Sequence, residues 1–331
     1  MKFPSILAGA AIGALLVTPL RAEVSELRIT KQPSVIYLPL VIMEENKLVE
    51  KHAKAAGLGD LKVDWITLTS GGAATDALLS GNVELVTSGV GNLLTLWDKT
   101  KGQVKAVSAA SAVPLILFSR NPNVKSLRDF SDADKIAVPT IKVSTQATVL
   151  QMACEKEFGP ENRTKLDSLT VAMSHPDAAG AVSNPAHELN AHFSAPPYQA
   201  AQAKNPLLHV VLNSADVIGG PLTNAVVFGT TQFHDANPKT VAAFIAALNE
   251  ANAMIKNDPR AAAEIYLRAT KEKFTVDELV EIMKAPATEY STTPYNTMKF
   301  ADHMAKVGTL KTKPASWKDY FFPESHGLPG S

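Results

Sequence analysis

Two serine–glycine junctions carry the most readable chemistry in the chain. Ser70-Gly71-Gly72 follows the strand-like run 61–69, and Ser88-Gly89 follows 83–87. A serine in such a place caps the next helix. The glycine lets a ligand reach backbone N–H groups that have no partner inside the helix. A helix start of this kind attracts an oxyanion such as a sulfonate, carboxylate or nitrate. Each junction alone is equally well an ordinary strand-to-helix cap, but two aimed at one cleft make a binding surface. Lys142-Val143-Ser144-Thr145-Gln146 adds hydroxyls at a third helix start, and Lys142 offers a charge-assisted contact to an anion. His192-Phe193-Ser194-Ala195-Pro196-Pro197-Tyr198 combines polar, apolar and rigid residues at a strand end. Pro33, Ser34 and Tyr37 near the first turn, with Thr223 and Asn224 late in the chain, complete the candidate ligand contacts.

Enzymatic signatures are missing. Gly89-Val90-Gly91 lacks the third glycine of a dinucleotide fingerprint, and no phosphate-cradling Gly-Lys-Ser or Gly-Lys-Thr loop occurs. Ser34, Ser70 and Ser88 have no nucleophile-elbow context. His175, His187 and His192 crowd with Asp177 and Glu188, yet their spacing matches no zinc motif. They read as structural or solvent-facing residues. Neither a cofactor nor a metal is called for, and no residue is assigned a catalytic role.

The elements that must position these residues follow a repeating rhythm. Strands are expected over 26–30, 61–69 and 83–87, each followed by a turn and then a helix, the first helix covering 38–54. A further strand begins at 103. The rhythm then restarts with strands over 114–120, 135–138, 169–173, 190–193 and 208–212, and with helices over 144–158 and 177–189. After Gly219-Gly220 the run 224–228 returns the chain to its first part. Helices then cover 238–256, 259–270, 276–284 and 295–307, with Pro238 and Pro259 in first turns, where a missing N–H costs nothing. From Lys311 the chain reads as an ordered wrap with a loose end. This alternation predicts an α/β protein of two doubly wound, mostly parallel lobes with a two-crossing hinge. Lobe I takes 24–113 and 221–331, and lobe II is inserted as 114–220. A single large doubly wound domain is the plainer alternative. In open sheets of this kind ligands sit beyond the carboxyl ends of the strands, where the candidate residues gather.

The 331 residues are 46% apolar and 19% charged, with 32 basic against 32 acidic side chains, so no strong field favours nucleic acid or a membrane surface. Lys2, the apolar run 6–17, Pro19 and Ala22 read as a signal peptide over 1–22, cut after Ala22. Its removal takes Lys2 and Arg21 and no acid, leaving 30 basic against 32 acidic residues, or −2. Cys154 is the only cysteine, which excludes an internal disulfide. With no cysteine at the expected cut, no lipid tether is expected, and the periplasm is the expected location.

The order of several segments resembles the nitrate, sulfonate and taurine-type periplasmic binding proteins of ABC importers, a group similar to thiamine-pyrimidine-binding proteins. The segments are Val63-Asp64-Trp65 leading to Ser70-Gly71-Gly72, then 77–84 (ALLSGNVE), Lys135-Ile136-Ala137-Val138-Pro139, 190–197 (NAHFSAPP) and the helix entry from Phe233 to Leu248. The resemblance spans about 25–285. It implies a type II two-lobed binding-protein fold, a small-molecule solute held unchanged between the lobes, and transient docking of a monomer on a permease pair. It also implies that Ser34, Ser70-Gly71, Ser88 and Ser144-Thr145 approach the ligand. The expected ligand is a small organic anion, a sulfonate or a carboxylate, aromatic ones included. The chain departs from the family in two ways: the predicted cleft loops hold no arginine, and 184–188 (NPAHE) replaces a shorter polar run. A ligand sensor for a membrane receptor, or a pyrimidine-precursor enzyme on the same scaffold, are the competing functions.

Overall fold

A computed structural model describes residues 22–331; the expected signal peptide falls almost wholly outside the described residues. In chain order the first half contains β1 (Glu26–Lys31), α1 (Leu38–Glu45), α2 (Leu48–Ala55), β2 (Lys62–Thr67), α3 (Gly71–Leu79), β3 (Leu85–Ser88), α4 (Val90–Lys99) and β4 (Val104–Ala112). The inserted part holds β5 (Ile116–Ser119), β6 (Ile136–Val138), α5 (Thr145–Phe158), β7 (Thr170–Ala172), α6 (His175–Ser183), β8 (Ala191–Ser194), α7 (Tyr198–Ala203), β9 (His209–Asn213) and α8 (Ser214–Ile218). The return strand is β10 (Thr223–Thr230), followed by α9 (Thr231–Ala236), α10 (Pro238–Asn257), α11 (Pro259–Thr270), α12 (Val276–Lys284) and α13 (Thr297–Lys306).

The strands form two five-stranded sheets, ordered β2-β1-β3-β10-β4 and β7-β6-β8-β5-β9. Four strands of each run in one direction, and the strand that has just crossed from the other lobe occupies the fourth place, antiparallel to both neighbours. Each sheet is therefore mixed, with a single reversed strand in an otherwise parallel set. Both crossings run side by side. At the first, Leu115 and Ser214 exchange two hydrogen bonds of 2.9 Å. Beside it, Val113 donates its N–H to Asn224 Oδ1 at 3.3 Å, and the Asn224 amide donates back to the Val113 carbonyl.

Periodicity explains the packing. In α10, Val241, Phe244, Ala247, Leu248, Ala251 and Ile255 recur at helical spacing and are all buried. Each large side chain on such a face contributes about 1.5–3 kcal/mol by leaving water. The expected helix over 38–54 is two helices, because the polar run 44–47 carries a turn in which Lys47 takes φ 50°. The helix expected over 177–189 runs instead from His175 to Ser183 and stops at Asn184, which is extended ahead of Pro185. The short helices α7 and α8 had no strong sequence signal. The chain's last residues are pinned, not loose: Thr297 donates to the Ser331 carbonyl at 2.6 Å, and Ser331 donates to that of Pro294 at 3.1 Å. Among the described residues no helix is long and apolar enough to cross a membrane.

Candidate functional site

Three helix starts converge where the two sheets face each other. Ser70 caps α3 by accepting from the Ala73 N–H at 3.2 Å, and Ser144 caps α5 by accepting from Ala147 at 3.2 Å. The α4 start at Gly89 has no side-chain cap. The cleft between them is lined from lobe I by Pro33, Ser34 and Tyr37, by Thr69 and Gly71, and by Ser88, Gly89 and Asn92. Lobe II contributes Pro139, Thr140, Ser144, Thr145 and Gln146, with His175 and Pro176; Leu115 and Asn224 form the floor at the crossings.

The lobes are closed on one another. Val35 donates its N–H to the Pro196 carbonyl at 3.3 Å, and the Ser34 hydroxyl donates to the same oxygen. Gly72 N–H reaches Thr140 Oγ1 at 3.3 Å, and Tyr198 donates to Glu272 Oε1 at 2.7 Å. Behind the cleft, Glu155 of α5 pairs with Lys306 of α13 at 3.0 Å and with His303 at 3.2 Å. A Cβ built on Gly91 would run into the Val143 carbonyl oxygen opposite, so lobe approach requires glycine there.

Among the described residues, no aspartate, glutamate, lysine or arginine lines the cleft. Its positive potential comes from peptide dipoles, each helix start carrying roughly half an elementary charge. Two hydroxyls, Ser88 Oγ from lobe I and Thr145 Oγ1 from lobe II, are buried there without a hydrogen-bond partner among the described residues. Buried polar atoms are rarely left unpaired, and such atoms on a cleft wall mark where a ligand's acceptors belong. Burial pushes the Tyr37 phenol up and His175 down to about 4, so both stay neutral near pH 7. Among the described residues no three His, Cys, Asp or Glu side chains gather as metal ligands.

Nine of the expected contacts therefore meet in one place: Pro33, Ser34, Tyr37, Gly71, Ser88, Gly89, Ser144, Thr145 and Asn224. Five do not line it. Ser70 spends its hydroxyl on the cap. Lys142 sits exposed in a left-handed turn at φ 67°. His192 is fully buried one layer behind, Ser194 lies in the core, and the Thr223 hydroxyl accepts from Tyr295 N–H at 2.8 Å. Asn92 and Thr140 escaped sequence reading, as did His175, which lines the cleft despite the expectation of a structural or solvent-facing role. Their only signal was position: Asn92 lies in the first turn of α4, Thr140 stands two residues past β6, and His175 opens α6 after the β7 loop.

The order of strands in both sheets and the double crossing decide the architecture. The chain has the periplasmic binding-protein fold. The alkanesulfonate-binding protein SsuA from Xanthomonas axonopodis pv. citri, solved bound to MOPS, superposes with a TM-score of 0.72 at 17% identity, over 88% of this chain and 96% of that one. The aliphatic sulphonate-binding protein SsuA from Escherichia coli gives 0.66 at 16% identity, covering 92% and 99%. The nitrate-binding protein NrtA from Synechocystis PCC 6803 gives 0.68 at 14% identity, covering 92% and 86%. The sequence matches no protein-family model and no curated relative.

Proposed function

We propose that this chain is the solute-binding component of an ABC importer, which captures a small organic anion between its lobes and delivers it unchanged to a permease pair. The observation that carries this reading is the pairing of Ser88 and Thr145, one hydroxyl from each lobe, unpartnered at the meeting of three helix starts. Such a site favours an oxyanion without a cation to neutralise it. The sulfonate- and nitrate-binding neighbours lend the same chemistry. Residues 24–113 with 221–331 would move as one body and 114–220 as the other, turning about the paired crossings. Contacts complete only when both lobes engage shift the equilibrium toward the closed form, which the transporter reads. Export by the 1–22 segment would place a monomer in the periplasm.

The test is a thermal-shift and calorimetric screen of the chain from residue 23 onward against ethanesulfonate, MOPS, taurine, nitrate, benzoate and an uncharged pyrimidine. A bound solute raises the melting temperature by mass action. Stabilisation by a sulfonate or carboxylate recovered chemically intact supports the reading. Binding of the pyrimidine alone, or conversion of a solute at catalytic rates, overturns it.

A further inference from the structure

Behind the lobe II wall, four side chains from four elements form one line. Gln146 Nε2 lies 3.0 Å from His175 Nε2, His175 Nδ1 lies 2.9 Å from His192 Nε2, and His192 Nδ1 lies 2.9 Å from Gln202 Nε2. The line begins in the cleft at Gln146 and His175 and ends at Gln202, which is 2% exposed. Burial keeps both rings neutral.

A neutral imidazole carries a single N–H. If both amides donated, His175 would hold its proton on Nδ1 and His192 on Nε2, and the two N–H groups would collide at 2.9 Å. One amide must therefore present its oxygen. Turning Gln202 would put its NH2 where Oε1 now lies buried without a partner. Orphaned N–H groups are rarer and costlier than an orphaned carbonyl. Turning Gln146 carries no such cost, since Gln146 lines the cleft and its Oε1, unlike that of Gln202, is not buried without a partner.

From this chain we infer that Gln146 is a specificity-determining contact: it accepts from His175 Nε2–H and turns its NH2 into the cleft as a donor for the ligand. His175, His192 and Gln202 are positioning residues that fix that orientation. The inference rests on the solute-binding reading above and narrows it. The ligand places acceptor oxygens against lobe I and lobe II at once, with neutral donors on both sides.

Two measurements on the exported form of the full chain test this. Two-bond 1H–15N spectra of the unliganded protein at pH 7 read each ring's tautomer. Protons on Nε2 of both His175 and His192 are expected; protons on Nδ1 of both overturn the assignment. Ethanesulfonate titration then compares wild type with Gln146→Glu, which keeps an acceptor for His175 but replaces the donor in the cleft with a charged oxygen. Affinity should fall at least tenfold with the melting temperature held, and unchanged affinity overturns the inference. If ethanesulfonate fails to bind wild type, the titration uses whichever of MOPS, taurine, nitrate or benzoate does; if none of these anions binds, the solute-binding reading falls instead, and the tautomers alone decide the donor assignment.

Discussion

Gly89 and Thr145 face each other across the cleft so closely that a Cβ built on the glycine would stand 2.6 Å from Thr145 Oγ1. Next to them, Gly91 meets the Val143 carbonyl with no room for a methyl group. Closure thus depends on two missing side chains on one helix start.

Gly91→Ala should separate closing from folding. Alanine suits a helix better than glycine by up to about 1 kcal/mol, so the unliganded variant should melt no lower than wild type. The closed form becomes inaccessible, because backbone rather than a flexible side chain is in the way. Small-angle scattering with saturating ethanesulfonate should show wild type compacting and the variant staying extended.

Ser88→Ala and Thr145→Val remove hydroxyls that have no partner among the described residues. Their loss should leave stability unchanged or slightly raised. A hydrogen bond to a charged group contributes about 1.5–3 kcal/mol. Each variant should therefore lose roughly ten- to hundredfold in affinity for an anion that binds wild type, measured by calorimetry. A fall in melting temperature with intact binding would mark both residues as structural.

Acid should loosen the fold through His175. Burial holds the ring down to about 4 against an ordinary 6.5. The folded chain therefore stays unprotonated where the unfolded chain takes up a proton. The contribution is complete above about pH 6.5 and is lost as pH falls toward 4. Urea midpoints should drop between pH 7.5 and 4.5, and His175→Gln should flatten that drop.

Cys154 lies on α5 at 1% exposure, and burial raises its thiol to about 12. A thiol held so far from its thiolate is inert. Ellman's reagent should find no reactive sulfur in the native protein at pH 8 and one per chain in guanidinium. Rapid native reaction would mean that α5 opens far more often than its packing allows.

Much of this architecture could be read from residue order. The alternation of strands and helices, with the prolines at 238 and 259, located nearly every large element. The junctions at Ser70-Gly71 and Ser88-Gly89 were readable as helix starts because the signal is local, yet only Ser70 caps its helix; Ser88 does not cap α4, which starts from Gly89 without a side-chain cap. Which atom of a junction faces the cleft is not local. Ser70 and Gly71 are adjacent, yet the serine turns into its own helix and the glycine borders the cleft. The line from Gln146 to Gln202 joins positions 29, 17 and 10 residues apart, a spacing with no periodicity. Only the sheet order β6-β8 beside α5 and α6 makes those residues neighbours. Lys142 looked useful as a charge, but its left-handed turn points it to solvent.

The inserted sheet draws all its strands from one uninterrupted stretch, 116–213, whereas the outer sheet needs β10 between β3 and β4. During synthesis, the second-encoded sheet is the first that can be completed. The outer one remains split along its middle until residue 230 has emerged. A destabilising change in β10 should therefore leave a half-formed molecule whose intact portion is the insert, a product that limited proteolysis would release as a single resistant fragment.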